Sequence, residues 1–242
     1  MTSDPLEPFD AGQDLRDAPV DQAQQAGVPL RPKDAATLIL FRGGPEPEVL
    51  MGRRAPGHVF MASRWVFPGG RIERSDFTAA SGSDLSQAAA GRLALQVPAR
   101  RARALALAAV RETFEETGLM LARRAPALPV AGPWREFRAL GALPDLAALT
   151  YVGRAITPPN RPRRFDARFF MADASALLHP EPGAGSGELD EIAWLPLAEV
   201  GAFELPAITK LMLGEAAQRR VDADRAPPFV RMVGATHVVS RD

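Results

Sequence analysis

The chain has 242 residues, a formal net charge of zero and no cysteine. Its length allows a substantial core, and its 46% hydrophobic and 24% charged residues are typical of a globular protein. The lack of cysteine excludes disulfides, thiolate metal sites, iron–sulfur clusters and cysteine nucleophiles. No apolar run is long enough to predict a transmembrane helix, and the charge balance gives no electrostatic reason to expect DNA, RNA or a membrane as partner.

The first 30 residues differ in composition from the rest of the chain. They hold six acidic residues and one arginine, and they show no hydrophobic periodicity. We therefore expect a mobile acidic arm over residues 1–30 and a single domain over residues 31–242. The start MTSDPLEPFD lacks the features of a secretory signal and the end VVSRD is not an SKL-type address. A cytoplasmic location is the resulting expectation.

Short apolar runs separated by turn residues predict several strands and one strong helix. In chain order, we expect strands at 35–42, 48–54, 58–67, 150–157, 163–172 and 189–196, the first two forming a hairpin through GGPEP. Helices are expected at 84–96, 99–117, 134–140 and 205–218, with Gly118 ending the second helix. This mixture of elements indicates an α+β or α/β sandwich.

The end of the second helix carries an unusual cluster of acidic residues. Glu112, Glu115 and Glu116 have the spacing i, i+3 and i+4, which places them within one stripe of the helix. Each like-charged pair destabilises a helix by roughly 0.2–0.5 kcal/mol, and the helix C-terminus disfavours anions. A bound cation would offset both costs, and carboxylate oxygens suit Mg²⁺ or Mn²⁺. The alternative is a solvated acidic face balanced by neighbouring arginines.

A Pro-Gly-Gly turn precedes this helix in the segment VFPGGRIERSD (66–76). The turn and the acidic helix together resemble the Nudix box, in which a glycine and an acidic residue precede the motif Arg-Glu-x-x-x-Glu-Glu-x-Gly. Two departures are plain: Asp76 stands where glutamate is usual, and 34 residues instead of seven separate it from Arg111. An insertion over residues 77–103 accounts for the difference. This split box and its flanks (49–70, 163–170 and 188–200) resemble the coenzyme A diphosphatase branch of the Nudix hydrolases.

The resemblance implies an α/β/α sandwich with a mixed central sheet, flanking helices and a helical insertion inside the box. It also implies metal-dependent hydrolysis of a nucleoside diphosphate linked to another group. The nearest substrates are coenzyme A or acyl-CoA, which would give 3′,5′-ADP and phosphopantetheine or its acyl form. An ADP-ribose or nucleotide-sugar diphosphatase is the alternative. A non-catalytic nucleotide-sensing module is the third hypothesis, and a homodimer is left open.

The resemblance also implies roles for particular residues in the box. Glu112, Glu115 and Glu116 would bind the metal ion together with the Gly69 carbonyl. Arg111 would hold a box glutamate through a salt bridge. The general base would be Glu112 or a carboxylate of the acidic segment 188–191. Within that segment we selected Glu191, so the candidate catalytic set is Glu112, Glu116, Arg111 and Glu191.

Arginine dominates the basic residues, and its guanidinium binds phosphate through two hydrogen bonds. The candidates for substrate phosphates flank the box or share one strand face: Arg53, Arg54, Arg64, Arg164 and Arg168. Three questions stay open from the sequence. The first is whether Asp76 caps its loop or binds a metal ion through water. The second is whether the insertion forms a lid over the site or packs passively against the sheet. The third is whether Trp65 stacks on a base of the substrate or fills the core.

Overall fold

The structure, a computed structural model, describes residues 7–8, 30–54, 63–159, 161–183, 185 and 187–241. Most of the predicted acidic arm and the first half of the predicted strand 58–67 therefore lie outside the described residues. Within the described part of the chain, no helix is long and apolar enough to cross a membrane.

Twelve strands are described, ten of which form one sheet. In chain order they are β1 (Glu7–Pro8), β2 (Lys33–Arg42), β3 (Glu48–Arg54), β4 (Trp65–Val66), β5 (Gly69–Arg71), β6 (Ala122–Arg124), β7 (Ala142–Pro144), β8 (Thr150–Ile156), β9 (Phe165–Asp173), β10 (Leu189–Pro196), β11 (Pro228–Val233) and β12 (Thr236–Arg241). The large sheet has the order β1-β12-β11-β8-β9-β2-β3-β10, and β4 and β5 pair with β3 and β2. The pairs β2–β9 and β8–β11 are parallel and the other pairs are antiparallel. The sheet is therefore mixed, as predicted.

Four α-helices are described: α1 (Gln87–Ala94), α2 (Ala99–Thr117), α3 (Arg135–Ala139) and α4 (Ala207–Arg219). Helices α1 and α2 belong to one apolar cluster, and α4 belongs to a second cluster. The alternation of side chains along β2 separates the two clusters, because Leu38 and Leu40 enter the first while Ile39 and Phe41 enter the second. The sheet thus lies between two helical layers, which confirms the predicted α+β sandwich.

Helix α2 has the bounds that the sequence predicts, and Gly118 follows it at φ +73°. Glycine tolerates this left-handed conformation, so the helix ends here without backbone strain. The hydrophobic residues of α2, such as Leu105, Leu107 and Val110, are fully buried. Burying each such side chain contributes about 2 kcal/mol, which fixes the helix against the sheet.

The region after Gln218 differs from the prediction, which placed no strand there. Strands β11 and β12 form a hairpin over this region and extend the sheet beyond β8. Helix α4 ends nearby, and its Glu215 carboxylate accepts hydrogen bonds from Arg225 at 2.7 Å and Arg241 at 2.6 Å. This ion-pair cluster attaches the end of the hairpin to the helix.

We expect the Glu215 cluster to make stability depend on pH in the acid range. Burial alone would raise the pKa of Glu215, but the two arginines outweigh it and lower this pKa from 4.5 to about 2. The stabilisation is therefore complete above about pH 4.5 and is lost as the pH falls towards 2. Glu215→Gln should lower the free energy of unfolding at pH 7 by about 2 kcal/mol.

Chemical denaturation at several pH values tests this expectation. The difference between Glu215→Gln and the unchanged protein should shrink below pH 4.5. The control is Glu199→Gln, because Glu199 is exposed and has no side-chain partner among the described residues. A difference that stays constant from pH 7 to pH 2.5 would contradict the proposed role of the charge.

Candidate active site

The three glutamates of the acidic stripe differ in exposure although they share one helix end. Glu116 is buried at 3% exposure, whereas the side chains of Glu112 and Glu115 are 17% and 32% exposed. Glu116 is on the side of α2 that faces the sheet, and the other two are closer to solvent. The acidic stripe is therefore not simply a solvent-exposed face of the helix, because the Glu116 carboxylate lies inside the protein.

The Pro-Gly-Gly bend lies directly against these carboxylates, in agreement with the prediction that bend and stripe come together. The Gly69 N–H donates a hydrogen bond of 2.9 Å to Glu116 Oε2. A Cβ atom at Gly70 would overlap the carboxylate of Glu112, and one at Gly69 would overlap the backbone of β2. Position 69 therefore requires glycine for close approach to the backbone, and at Gly70 a larger residue would displace the Glu112 carboxylate. The Gly69 amide makes the contact with Glu116, and the Gly69 carbonyl stays a predicted metal ligand.

Arg111 lies behind the glutamates and holds them in place. Its guanidinium donates to both oxygens of Asp76 at 3.0 Å and to Glu112 and Glu115 at 2.9 Å each. Burial alone would lower the pKa of Arg111, but the Asp76 hydrogen bond and the neighbouring carboxylates raise it. Arg111 is 2% exposed, lines the cavity beside the glutamates and directs its hydrogen bonds to the carboxylates that it positions.

Asp76 is fully buried and does not line the cavity beside the glutamates. It lies in a short 3₁₀ turn, Arg74–Phe77, where its side chain also accepts from the Glu73 amide at 2.8 Å. The Trp134 indole donates to the same carboxylate at 3.1 Å. Asp76 therefore caps its turn and anchors Arg111, which matches the first of the two readings left open by the sequence.

The environment raises the pKa of each glutamate in the stripe. Burial raises the pKa of Glu116 to about 8, against the opposing effects of the Gly69 N–H and Arg54. Burial likewise raises the pKa of Glu112 to about 7, although Arg111 opposes it, and burial raises the pKa of Glu115. Carboxylates in such surroundings hold their negative charge at a cost, and a nearby cation would reduce that cost.

A cavity of about 420 Å³ opens beside the glutamates. Its floor includes a row of small side chains in register across four strands, namely Val230, Ala155, Ala167 and Ala35. The row ends at Arg71 of β5, so it spans four strand spacings or roughly 19 Å. Residues of α4 and of the C-terminal hairpin complete the far wall. The cavity is thus elongated, with the carboxylates near one end.

Of the five arginines expected to bind phosphate, only Arg54 lines this cavity. Arg53 pairs with Asp190 and Glu191, and Arg64 pairs with Glu204.

The other two expected arginines have different structural roles. Arg164 donates to the carbonyls of Thr157 and Leu30. Arg168 is 1% exposed and forms ion pairs with Asp34 and Asp166. The alternation of side chains along β9 correctly predicted the face on which Arg168 lies. That face is the α2 side of the sheet, where Asp34 and Asp166 neutralise the charge of Arg168.

The acidic segment 188–191 contributes a different residue from the one expected. Glu191 pairs with Arg53 at 3.1 Å and does not line the cavity. Glu188 does line it, and its charge contributes to the raised pKa values of Glu112 and Glu116. Glu188 therefore replaces Glu191 as the carboxylate of this segment that reaches the site. A register shift between β10 and β3 at Leu189 and Glu191 accompanies this arrangement.

A glycine-containing loop brings Glu188 to the end of α2. The Gly183 N–H donates to the Thr117 carbonyl at 2.9 Å, which satisfies one of the carbonyls left free at the helix end. A Cβ atom at Gly185 would overlap the Glu116 carbonyl. The loop can therefore pass this close to α2 only because the position is glycine.

Comparison with known proteins agrees with this arrangement. The chain is 30% identical to a NUDIX hydrolase of known crystal structure from Alicyclobacillus acidocaldarius, with 76% of this chain and 92% of that chain covered and a TM-score of 0.55. The chain belongs to the Nudix hydrolase family. It is also 27% identical, over 227 aligned residues, to the acyl-coenzyme A diphosphatase NUDT19 of Gallus gallus. That match covers 66% of this chain and only 59% of the chicken protein. No family model matches the chain.

Nudix hydrolases generally use divalent metal ions, which are bound by oxygen atoms of acidic side chains. Among the described residues, no group of three or more His, Cys, Asp or Glu side chains is arranged to hold a metal ion. Glu115 and one oxygen of Glu112 are turned towards Arg111. Glu112 and Glu116 nevertheless provide carboxylate oxygens as ligands for a hard cation. Burial makes the negative charge of both side chains unfavourable, which a cation would relieve. This donor chemistry fits a divalent cation such as Mg²⁺.

The insertion of this Nudix chain packs on the side of α2 and does not cover the cavity. Ala89 and Leu93 of α1 and the following Val97 belong to the apolar cluster that contains α2. Arg103 donates to the Ala79 carbonyl at 2.7 Å, which ties the start of the insertion to α2. None of the residues 77–103 lines the cavity. The structure therefore favours the hypothesis that the insertion packs passively on α2 over the hypothesis that it forms a lid.

We expect Asp76→Asn to destabilise the protein, because it removes the charge that faces Arg111 in a fully buried place. The free energy of unfolding should fall by about 3 kcal/mol, measured by chemical denaturation. The matched control is Asp190→Asn, which breaks an exposed ion pair with Arg53 and should change stability by less than about 1 kcal/mol. Equal losses in the two variants would contradict an anchoring role for Asp76.

Proposed function

We propose that this Nudix chain hydrolyses the diphosphate of coenzyme A or acyl-CoA in a reaction that depends on Mg²⁺ or Mn²⁺. The products would be 3′,5′-ADP and phosphopantetheine or its acyl form. The observation that carries the proposal is the meeting of the Glu112 and Glu116 carboxylates at the Gly69–Gly70 bend. Glu112 and both glycines line one end of an elongated cavity, and Glu116 is bonded to Gly69 directly behind that lining. The likeness to a chicken acyl-coenzyme A diphosphatase supports this choice of substrate.

Glu112 and Glu116 are the residues that would hold the metal ion, with Glu115 beside them. A divalent ion at these oxygens would neutralise charge on the diphosphate and lower the pKa of a bound water. The protein contributes the positions of the carboxylates. The Gly69 N–H fixes Glu116 and the Arg111 guanidinium fixes Glu112 and Glu115, so the side chains need little reorganisation before the reaction.

Glu188 is our candidate for the general base in place of Glu191. It is exposed, lines the cavity and has no ion pair among the described residues. A carboxylate with these properties can accept a proton from an attacking water. Arg54 lines the cavity next to the same carboxylates and provides positive charge for a phosphate oxygen.

The rest of the cavity suits the organic part of such a substrate. Its wall combines the small side chains of the floor with Phe165, Phe169 and Ile208. Apolar and aromatic surfaces of this kind accept a nucleoside base or an extended aliphatic arm. The proposal includes a small-molecule substrate and a cytoplasmic location, and it includes no nucleic-acid or membrane partner.

Glu116→Gln should lower turnover by at least about 10³-fold while leaving the protein folded, because an amide loses the charge that binds a hard cation. The amide can still accept the Gly69 N–H hydrogen bond. Turnover is measured by release of 3′,5′-ADP at saturating Mg²⁺, and circular dichroism checks the fold. The matched control is Glu136→Gln on the exposed surface of α3, which should retain full activity. Near-normal turnover of Glu116→Gln would refute the assigned role.

A substrate panel tests the choice of substrate. Coenzyme A, acyl-CoA, ADP-ribose and a nucleotide sugar should be compared by kcat/KM with Mg²⁺ or Mn²⁺, and products should be identified by mass spectrometry. We expect the two coenzyme A substrates to be hydrolysed fastest. Negligible turnover of coenzyme A beside rapid turnover of ADP-ribose would move the assignment to the alternative activity. Binding without hydrolysis of any of them would indicate a nucleotide-sensing module.

A further inference from the structure

The cavity is polarised along its length. Its acidic lining residues, Glu73, Glu112, Glu115 and Glu188, all belong to the end beside α2 and β5 or to the loop that packs against α2. At the other end, the lining residues come from the connection between β8 and β9 and from the C-terminal hairpin: Thr157, Pro158, Arg163, Phe165 and His237. None of these is acidic, and Arg163 carries a positive charge. The far end is therefore suited to an anion.

Arg163 is the arginine at this end with an unused guanidinium. It is exposed, and the structure shows no hydrogen bond or ion pair between its side chain and any described residue. Its neighbour Arg164 is already bonded to main-chain carbonyls, and Arg168 is enclosed in ion pairs. Arg163 can thus offer its full set of donors to a ligand in the cavity.

His237 adds a second polar group to the same end. Its Nε2 atom is buried and has no hydrogen-bond partner among the described residues. Buried polar atoms without partners are uncommon in folded proteins. Burial lowers the pKa of His237 and nearby Arg161 lowers it further, so the ring is neutral at pH 7 and can donate one N–H. The imidazole lines the cavity, so a ligand there would satisfy this nitrogen once the ring turns its Nε2 atom towards the cavity.

We propose that Arg163 and His237 form a second anion subsite that binds a phosphomonoester on the nucleoside part of the substrate, such as the 3′-phosphate of coenzyme A. The inference rests on the proposed function, because it names the part of the diphosphate substrate that occupies the far end. Arg163 supplies charge and paired donors, and His237 supplies one hydrogen bond.

The strand positions are compatible with such a substrate. Arg163 lies two residues before β9, and β9 is separated from β5 by β2 alone. Two strand spacings amount to roughly 10 Å across the sheet. Arg163 also lies four residues before Ala167, the β9 position in the row that ends at Arg71, so its distance from the carboxylate end exceeds this value and is compatible with a nucleotide that carries a diphosphate. The apolar floor between the two ends would then lie under the nucleoside. The subsite would distinguish coenzyme A from ADP-ribose, which has no such phosphate.

Binding of reaction-product analogues tests the subsite without requiring turnover. Isothermal titration calorimetry would compare adenosine 3′,5′-bisphosphate with AMP on the full chain. We expect the bisphosphate to bind at least about tenfold more tightly, as is typical of a charge-assisted contact to arginine. This preference should be lost in Arg163→Gln and reduced in His237→Phe. Arg135→Gln, an exposed arginine of α3 outside the cavity, should keep it.

Kinetics provides the second measurement, as the ratio of kcat/KM for coenzyme A to that for dephospho-CoA. The ratio should be about ten or more in the unchanged protein and in Arg135→Gln, and close to one in Arg163→Gln. Turnover of dephospho-CoA should be equal in the unchanged protein and in Arg135→Gln. A ratio or a binding preference that survives Arg163→Gln, or is absent from the unchanged protein, would overturn the subsite while leaving the proposed function intact.

Failure of the proposed function can also be distinguished from failure of the subsite. If neither diphosphate is hydrolysed but the bisphosphate preference is present and disappears in Arg163→Gln, the proposed function fails and the subsite stands.

Discussion

The contact between the Arg111 guanidinium and the Asp76 carboxylate is the interaction on which the rest of the site depends. It joins the turn after β5 to the last part of α2 across a 34-residue separation in the chain. The same guanidinium orients Glu112 and Glu115. A buried ion pair contributes little net stability, because removing its charges from water costs about as much as their attraction gains. The main effect of this ion pair is therefore to position the side chains of the site. The box tolerates a long insertion because this contact brings Asp76 and Arg111 together although residues 77–103 lie between them.

The second constraint is the close packing of three glycines: Gly69 against the backbone of β2, Gly70 against the Glu112 carboxylate and Gly185 against the Glu116 main-chain carbonyl. Gly69 and Gly70 allow β5 to lie against Glu116 and Glu112, and Gly185 allows the later loop to lie against the end of α2. Three segments distant in sequence therefore meet at one helix end. Their meeting buries several negative charges together, which raises the pKa values of Glu112 and Glu116 and makes the site suitable for a hard cation.

Prediction from the sequence succeeded where the signal was local and strongly periodic. Helix α2 and the strand β10 have the predicted bounds, because apolar periodicity, Gly118 and the flanking prolines specify them within the segment itself. The C-terminal hairpin was missed, although its two alternating runs are separated by Gly234 and Ala235. The runs are short and contain arginine and histidine, so their strand character depends on pairing with β8.

The sequence by itself determined which chemistry is available: a trio of carboxylates on one helix stripe, a glycine bend, no thiols and abundant arginine. These follow from residue type and helical period, which need no tertiary contact. Only the tertiary structure decided which charges face the cavity. Arg168 and Glu191 are neutralised by partners from neighbouring strands, whereas Arg163, Glu188 and His237 line the cavity. Such choices depend on strand register and long-range pairing, which residue spacing along the chain does not encode.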